Sequence, residues 1–221
     1  MNSTELVAES SINMTKRPYL IVKRFLDIVI SLFGLVIFSP ILLITAIAIK
    51  LTSKGPVMYT HDRIGQNGKV FRFYKFRSMV YNADDILYNE LLKDEEIAEE
   101  YQANKKLHRD PRITKVGSFI RKTSIDELPQ LLNVLKGDMS FIGNRPYMPR
   151  EKEDMGEYFN DIVKTKPGLT GYWQVSGRNN KSFKSRLKLE KEYSEIFSFK
   201  LDVKIFFKTF LVIFNHDGGA K

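Results

Sequence analysis

From Phe25 to Ile49 the chain reads FLDIVISLFGLVIFSPILLITAIAI, an apolar run in which Asp27 is the only ionisable side chain. As a helix it extends about 37 Å, against a hydrocarbon core of roughly 30 Å. Ser39-Pro40 interrupts the run: Pro40 has no amide hydrogen to offer the Val36 carbonyl, and its ring crowds that turn. Lys16, Arg17, Lys23 and Arg24 precede the run, and Lys50 and Lys54 follow it. Basic residues on both sides give a span no preferred orientation. They suit a helix–break–helix hairpin that enters and leaves by the same membrane face. A kinked spanning helix also satisfies the length. A signal peptide fits the basic start and Ala46-Ile47-Ala48, but the run is long and its lead-in of 24 residues unusual.

Beyond this segment the pattern changes period. Val57–Gly65 and Lys69–Met79 flank Gln66-Asn67-Gly68, and Asn-Gly between β-prone runs predicts a hairpin. Phe71 and Phe73 alternate with Arg72 and Tyr74, as in a half-buried strand. Asp84–Leu107 reads as an acidic helix with a solvated face. Leu128, Leu131, Leu132 and Leu135 follow the i, i+3, i+4, i+7 rule, predicting a helix buried along that stripe and stopped by Gly137. Lys166–Gly171 is turn-rich, Ser182–Phe197 is a further helix, and Leu201–Phe214 fits a core helix or one lying in the membrane interface. The expected fold is α+β, mostly helical with a small β-hairpin. The expected organisation is a loose tail over 1–19, the membrane segment over 20–54 and a catalytic domain over 55–221.

Composition narrows the function classes. The chain has 221 residues, 43% hydrophobic and 28% charged, too apolar for a disordered protein. Its lack of cysteine removes disulfide frameworks, Fe–S clusters and thiol nucleophiles. The formal charge of +9 calls for an anionic partner: a phosphorylated ligand, a membrane surface or nucleic acid. No aromatic-interleaved basic groove supports nucleic acid. His61, His108 and His216 share no metal-ligand spacing, and there is no GxSxG, P-loop or Rossmann fingerprint.

Asp126-Glu127 remain, at the start of the leucine-striped helix. Ser124-x-x-Glu127 is a capping box, which gives Glu127 a purely structural explanation. Pro129, in turn, places the pair in the first helical turn, where free amides favour negative charge and attract phosphate. Arg109, Arg112, Lys115, Arg121, Lys122 and Arg145 crowd the same stretch. Carboxylates for a divalent metal and arginines for phosphate oxygens are the components of phosphoryl transfer. A solvated face or a patch touching anionic lipid is the plainer reading of those cations.

At these residues the chain resembles the monotopic bacterial phosphoglycosyl transferases, the polyprenyl-phosphate sugar-1-phosphate transferases of glycan assembly. The resemblance runs from about Lys23 to Asp217. It rests on KRFLDIVIS, the Ser39-Pro40 break, KGPVMYTHDRIGQNGKVFRFYKFRSM, KPGLTGYWQVSGR and above all DPRITKVGSFIRKTSIDELPQLLNVLKGDMS.

The resemblance implies a monotopic protein on the cytoplasmic face of the bacterial inner membrane, with a re-entrant helix broken at Ser39 and Pro40 and interfacial amphipathic helices. It implies transfer of a sugar 1-phosphate from a UDP-sugar to undecaprenyl phosphate, in exopolysaccharide, capsule or O-antigen assembly. Asp126 is then the nucleophile and a ligand of Mg²⁺, and Glu127 completes the dyad. Arg121, Arg145 and Lys75 match the family's phosphate-binding positions, and Arg112 joins them as a nucleotide-sugar contact. PYMPREKEDMG and GYWQVSGR lean towards members that handle galactose 1-phosphate; glucose and acetamido sugars stay open, and so does a homodimer. Two positions depart from the family pattern: Asn144 stands where Gly-Pro-Arg-Pro is common, and Glu190 where a shorter acid is.

Overall fold

The computed structural model describes residues 3–104, 107–177 and 182–214, so His216 and Arg178 lie outside the described residues. Helix α1 spans Ser3–Ile37 and α2 spans Ser39–Thr52. Residues 3–19 are therefore helical, where an irregular tail was expected. The break falls at Phe38, with Pro40 in the first turn of α2, where its missing N–H has no helical partner to lose. The two helices are bent by 60° there, and among the described residues no single helix is long and apolar enough to cross a membrane.

Strands β1 (Met58–Ile64) and β2 (Val70–Phe76) form the expected antiparallel hairpin. Its turn depends on the predicted residues: Asn67 and Gly68 take φ of 57° and 74°, the left-handed region that Asn and Gly enter at least cost. The acidic segment is not one helix. It divides into α3 (Ala83–Asn89) and α4 (Glu95–Asn104), separated by a tight turn over Leu91–Lys93. Helix α5 (Lys115–Lys122) follows, then a single 3₁₀ turn over Ile125–Glu127, then α6 (Gln130–Lys136).

Strands β3 (Ser140–Ile142) and β4 (Gly168–Thr170) pair in parallel, a second small sheet where a turn was read. Single-turn helices α7 (Lys152–Met155) and α8 (Phe159–Ile162) lie between them. The chain ends in α9 (Phe183–Ile196), capped by the Ser182 side chain on the Ser185 amide, and α10 (Phe199–Phe214).

The chain divides into two compact units that cut across the expected boundary after residue 54. Among the described residues, one comprises 3–36, 62–73 and 131–214, the other 37–61 and 74–130. In the first, Ile64, Tyr147, Met155, Ile162 and Leu187 form one core cluster, and Ile142, Tyr193 and Ile205 another. Helix α1 is tied in by its polar residues. Asp27 is buried and accepts from the Ser140 hydroxyl and the Phe141 amide, at 3.0 and 2.8 Å. Lys23 donates to Asp202 and to the Ile142 carbonyl, and Tyr19 and Tyr193 also donate to Asp202. The lone acid of the apolar run is thus an anchor for β3. In the second unit Ile49, Phe76 and Ile120 pack together under α2, β2 and α5.

Candidate active site

The second unit assembles the dyad from two sequence-distant stretches clamped backbone to backbone. The chain leaving β2 bridges Met79 to Ile113; the Thr114 amide donates to the Ser78 carbonyl and the Val80 amide to the Arg112 carbonyl. Thr114 then caps α5 by accepting from the Gly117 amide. Gly117 permits the closeness: a Cβ there would lie 1.8 Å from the Ser78 carbonyl oxygen. Held this way, Lys75 at the end of β2 faces the turn that carries Asp126 and Glu127.

Lys75 Nζ lies 2.7 Å from Glu127 Oε1 and 3.8 Å from Asp126 Oδ2. Asp126 is buried, 7% exposed, whereas the Glu127 side chain is about half exposed. Burial raises the Asp126 pKa, as does the Glu127 charge, against the lowering effect of Lys75 and Arg121. Among the described residues no side chain hydrogen-bonds the Asp126 carboxylate; the hydrogen bond that acts on it comes from its own backbone. Arg121 donates from Nε to Ser78 Oγ at 2.7 Å, while its two terminal nitrogens donate to no described residue. That leaves its forked end for an anion. A buried carboxylate under the charge of two cations, with another carboxylate beside it, is suited to receive a phosphoryl group.

The expected capping box is absent. Ser124 has a φ of 57° and its side chain caps nothing; the Glu127 amide donates to the Ser124 carbonyl instead. The dyad sits in the 3₁₀ turn ahead of α6, so capping does not account for Glu127. Arg112 differs from its expected role as well. It is buried against Asp110, donating from Nε and Nη2 at 2.8 and 2.6 Å, and from Nη1 to the Ala83 carbonyl. Its fork is filled by its own chain, and it braces the segment that carries Thr114. Arg145 belongs to the other compact unit, in the loop after β3. The group gathered around Asp126 is therefore Lys75, Arg121 and Glu127.

In that other unit Asn144 and Glu190 converge on α9. Asn144 Nδ2 reaches the Ser194 hydroxyl at 2.7 Å and the Ile162 carbonyl at 3.1 Å; Glu190 Oε1 accepts from the Arg145 amide at 3.0 Å. Both departures from the family pattern thus act on the same short loop, and both fix the backbone at Arg145. Ser78 and Gly117 support the site around Asp126 without having been singled out for it from the sequence. Only Gly117, an unexplained glycine inside a helical pattern, carried a signal there.

Residues 18–216 match the family model described as bacterial sugar transferase. The chain is 46% identical over 209 residues to undecaprenyl-phosphate galactose phosphotransferase of Salmonella typhimurium, covering 94% of this chain and 43% of that protein. It is 40% identical over 187 residues to the exopolysaccharide production protein ExoY of Sinorhizobium fredii, covering 85% and 83%. To UDP-glucose:undecaprenyl-phosphate glucose-1-phosphate transferase of Escherichia coli it is 36% identical over 197 residues, covering 86% and 39%. The chain spans less than half the length of the Salmonella and Escherichia proteins. The match runs through both compact units and includes the dyad and its cations; the chain belongs to the bacterial sugar transferase family.

Proposed function

We propose that the chain is a phosphoglycosyl transferase that moves a hexose 1-phosphate, galactose 1-phosphate foremost, from a UDP-sugar to undecaprenyl phosphate. The observation that carries this reading is Asp126: a buried carboxylate facing Lys75, under the charge of Arg121, with no side-chain hydrogen bond of its own. A carboxylate oxygen attacks the sugar-bearing phosphorus of the UDP-sugar. The bond to the UMP phosphate breaks, and UMP leaves with the electron pair. Undecaprenyl phosphate then attacks the same phosphorus, displacing Asp126 and giving undecaprenyl-diphosphate-sugar. Two separate displacements let one site serve a soluble and a lipid substrate in turn. Lys75 and Arg121 hold the phosphate oxygens, and Glu127 takes the proton from incoming polyprenyl phosphate.

Among the described residues no three metal-ligating side chains cluster. Two adjacent carboxylates suit Mg²⁺, which typically takes one or two protein carboxylates, substrate phosphates and water. Asp126 and Glu127 would hold it, and it would supply neutralising charge to the diphosphate.

The membrane reading rests on exposed apolar side chains. Phe25, Phe33 and Val36 on α1 are 65–71% exposed, and Leu43, Ile44 and Leu51 on α2 are 63–81% exposed. Phe207 and Leu211 on α10 are 64% and 61% exposed. Such surface is costly in water and stable in lipid. The bent pair α1–α2 is then a re-entrant helix at the cytoplasmic face, in a step of polysaccharide assembly. Full-length chain in bilayer nanodiscs with undecaprenyl phosphate and Mg²⁺, given a panel of UDP-sugars, tests the proposal. UMP release is expected with UDP-galactose above UDP-glucose and the acetamido sugars; no release with any of them overturns it.

A further inference from the structure

Residues 75–78, at the end of β2 and just past it, each do a separate job. Lys75 faces Asp126 and Glu127, and Phe76 enters the core with Ile49 and Ile120. Ser78 receives Arg121 on its hydroxyl and the Thr114 amide on its carbonyl. Arg77, between them, is buried. No acid pairs with it among the described residues, and burial lowers its pKa. A guanidinium taken out of water without a counter-ion is costly to keep.

What Arg77 holds is the end of α2. Its Nη2 donates to the Ser53 hydroxyl at 2.8 Å and to the Ser53 carbonyl at 3.1 Å. Ser53 is the C-cap of α2, and its amide and hydroxyl both reach the Ile49 carbonyl. The Arg77 amide donates to the Val57 carbonyl at 2.9 Å, a second tie beside the first. Nε and Nη1 are buried without a hydrogen-bond partner. A Cβ on Gly55 would collide with Nη1 and with the Tyr81 ring, so Gly55 and Tyr81 close the fork to any ligand. A cation at a helix C-terminus complements the dipole, which is the plainer explanation of Arg77. However, Lys50 in the last turn of α2 is exposed and supplies that charge without burial. The buried guanidinium has a different use: it grips the backbone between the two residues that hold the cations of the site.

We propose that Arg77 is a positioning residue for phosphoryl transfer. By tying the strand to the end of α2 it fixes Lys75 on one side and Ser78, hence Arg121, on the other. The inference rests on the reading of Asp126 as the nucleophile, and its test separates the two. Full-length chain in bilayer nanodiscs with undecaprenyl phosphate, Mg²⁺ and UDP-galactose is assayed for UMP release, below the melting temperature of every variant. Arg77→Met keeps the bulk of the side chain and removes its donors; kcat is expected to fall about tenfold with little change in KM. Arg77→Lys is expected to restore most of that loss, because one nitrogen makes both bonds to Ser53 and an ammonium can make them too. Ser53→Ala removes the hydroxyl acceptor alone; it is expected to lower kcat about threefold, and it decides the matter if Arg77→Met does not fold. On top of Lys75→Met, Arg77→Met is expected to cost less than about threefold, since part of its effect runs through the lysine already lost. Wild-type kcat in Arg77→Met or in Ser53→Ala overturns the role, as does an undiminished loss on top of Lys75→Met. A KM that rises at unchanged kcat marks Arg77 as a substrate contact and overturns it as well. A wild-type chain that releases no UMP overturns the proposed function and this role together.

Discussion

Each compact unit buries carboxylates beside basic residues, and one from each, Glu190 and Asp126, are built to opposite ends. Glu190 on α9 is fully buried, and one of its oxygens is committed to the Arg145 amide. Burial pushes its carboxyl up to about 7 in spite of Tyr147, that amide and the guanidiniums of Arg145 and Arg186. Asp126 is buried almost as deeply but is committed to no side-chain hydrogen bond, and its nearest cation stands 3.8 Å away. Glu190 spends one oxygen on holding the backbone; a carboxylate that is to form a bond must keep its reacting oxygen available. Burial alone does not separate the two. The partner list does.

The sharpest way to break this contrast is Asp126→Asn. Turnover is expected to fall at least about 10⁴-fold. The melting temperature stays the same or rises, because the substitution removes a charge whose burial opposes ionisation. Steady-state UMP release and thermal melting, measured together, check both halves; a destabilised but active variant would make Asp126 a structural acid like Glu190.

Lys75→Met comes next. Losing the cation that faces both carboxylates is expected to lower kcat about a hundredfold with little effect on melting. It also moves the acidic limb of the pH–rate profile further upward, since Lys75 is what lowers the Asp126 pKa most. A limb that does not move removes Lys75 from the site.

Gly117→Ala acts on the scaffold. The added methyl meets the Ser78 carbonyl, so a stability loss of about 1–3 kcal/mol is expected in denaturant melts, with activity reduced in the surviving folded fraction.

Glu190→Gln gives the smallest effect. The Glu190 carboxyl is raised from 4.5 to about 7 in the folded chain. The folded state therefore holds the extra proton across that window, and the stability it contributes is lost as pH rises through about 7. Glutamine keeps the acceptor for the Arg145 amide and has no proton to lose, so this part of the wild-type fall in melting temperature between pH 5.5 and 8 should flatten. An unchanged slope assigns the dependence to other groups.

What the sequence made legible was local. Asn67-Gly68 announced the hairpin because few residues tolerate that φ, and Ser39-Pro40 announced the helix break because proline cannot continue the ladder. The leucine stripe misjudged α6: Leu132 is 39% exposed, while Asn133 is fully buried and donates to the Arg72 carbonyl at 2.6 Å. Periodicity counts apolar residues and cannot see a polar one whose partner lies 61 positions away. The parallel pairing of β3 with β4 was hidden for the same reason, each strand being three residues long. At the site, Asp126 and Glu127 were readable as a pair, and the resemblance supplied Lys75 and Arg121. The pairing of Arg112 with Asp110 was not legible, because an acid two residues away looks like loop composition until the bidentate geometry is seen.

The central claim is that Asp126 forms a covalent bond to phosphorus. Full-length chain is mixed with Mg²⁺ and UDP-galactose in the absence of any polyprenyl phosphate, quenched, and weighed intact. The account predicts release of about one equivalent of UMP and a mass increase of one hexose phosphate that maps to Asp126, is absent from Asp126→Asn and disappears when undecaprenyl phosphate is added. UMP release that strictly requires undecaprenyl phosphate, with no adduct at any residue, would contradict it.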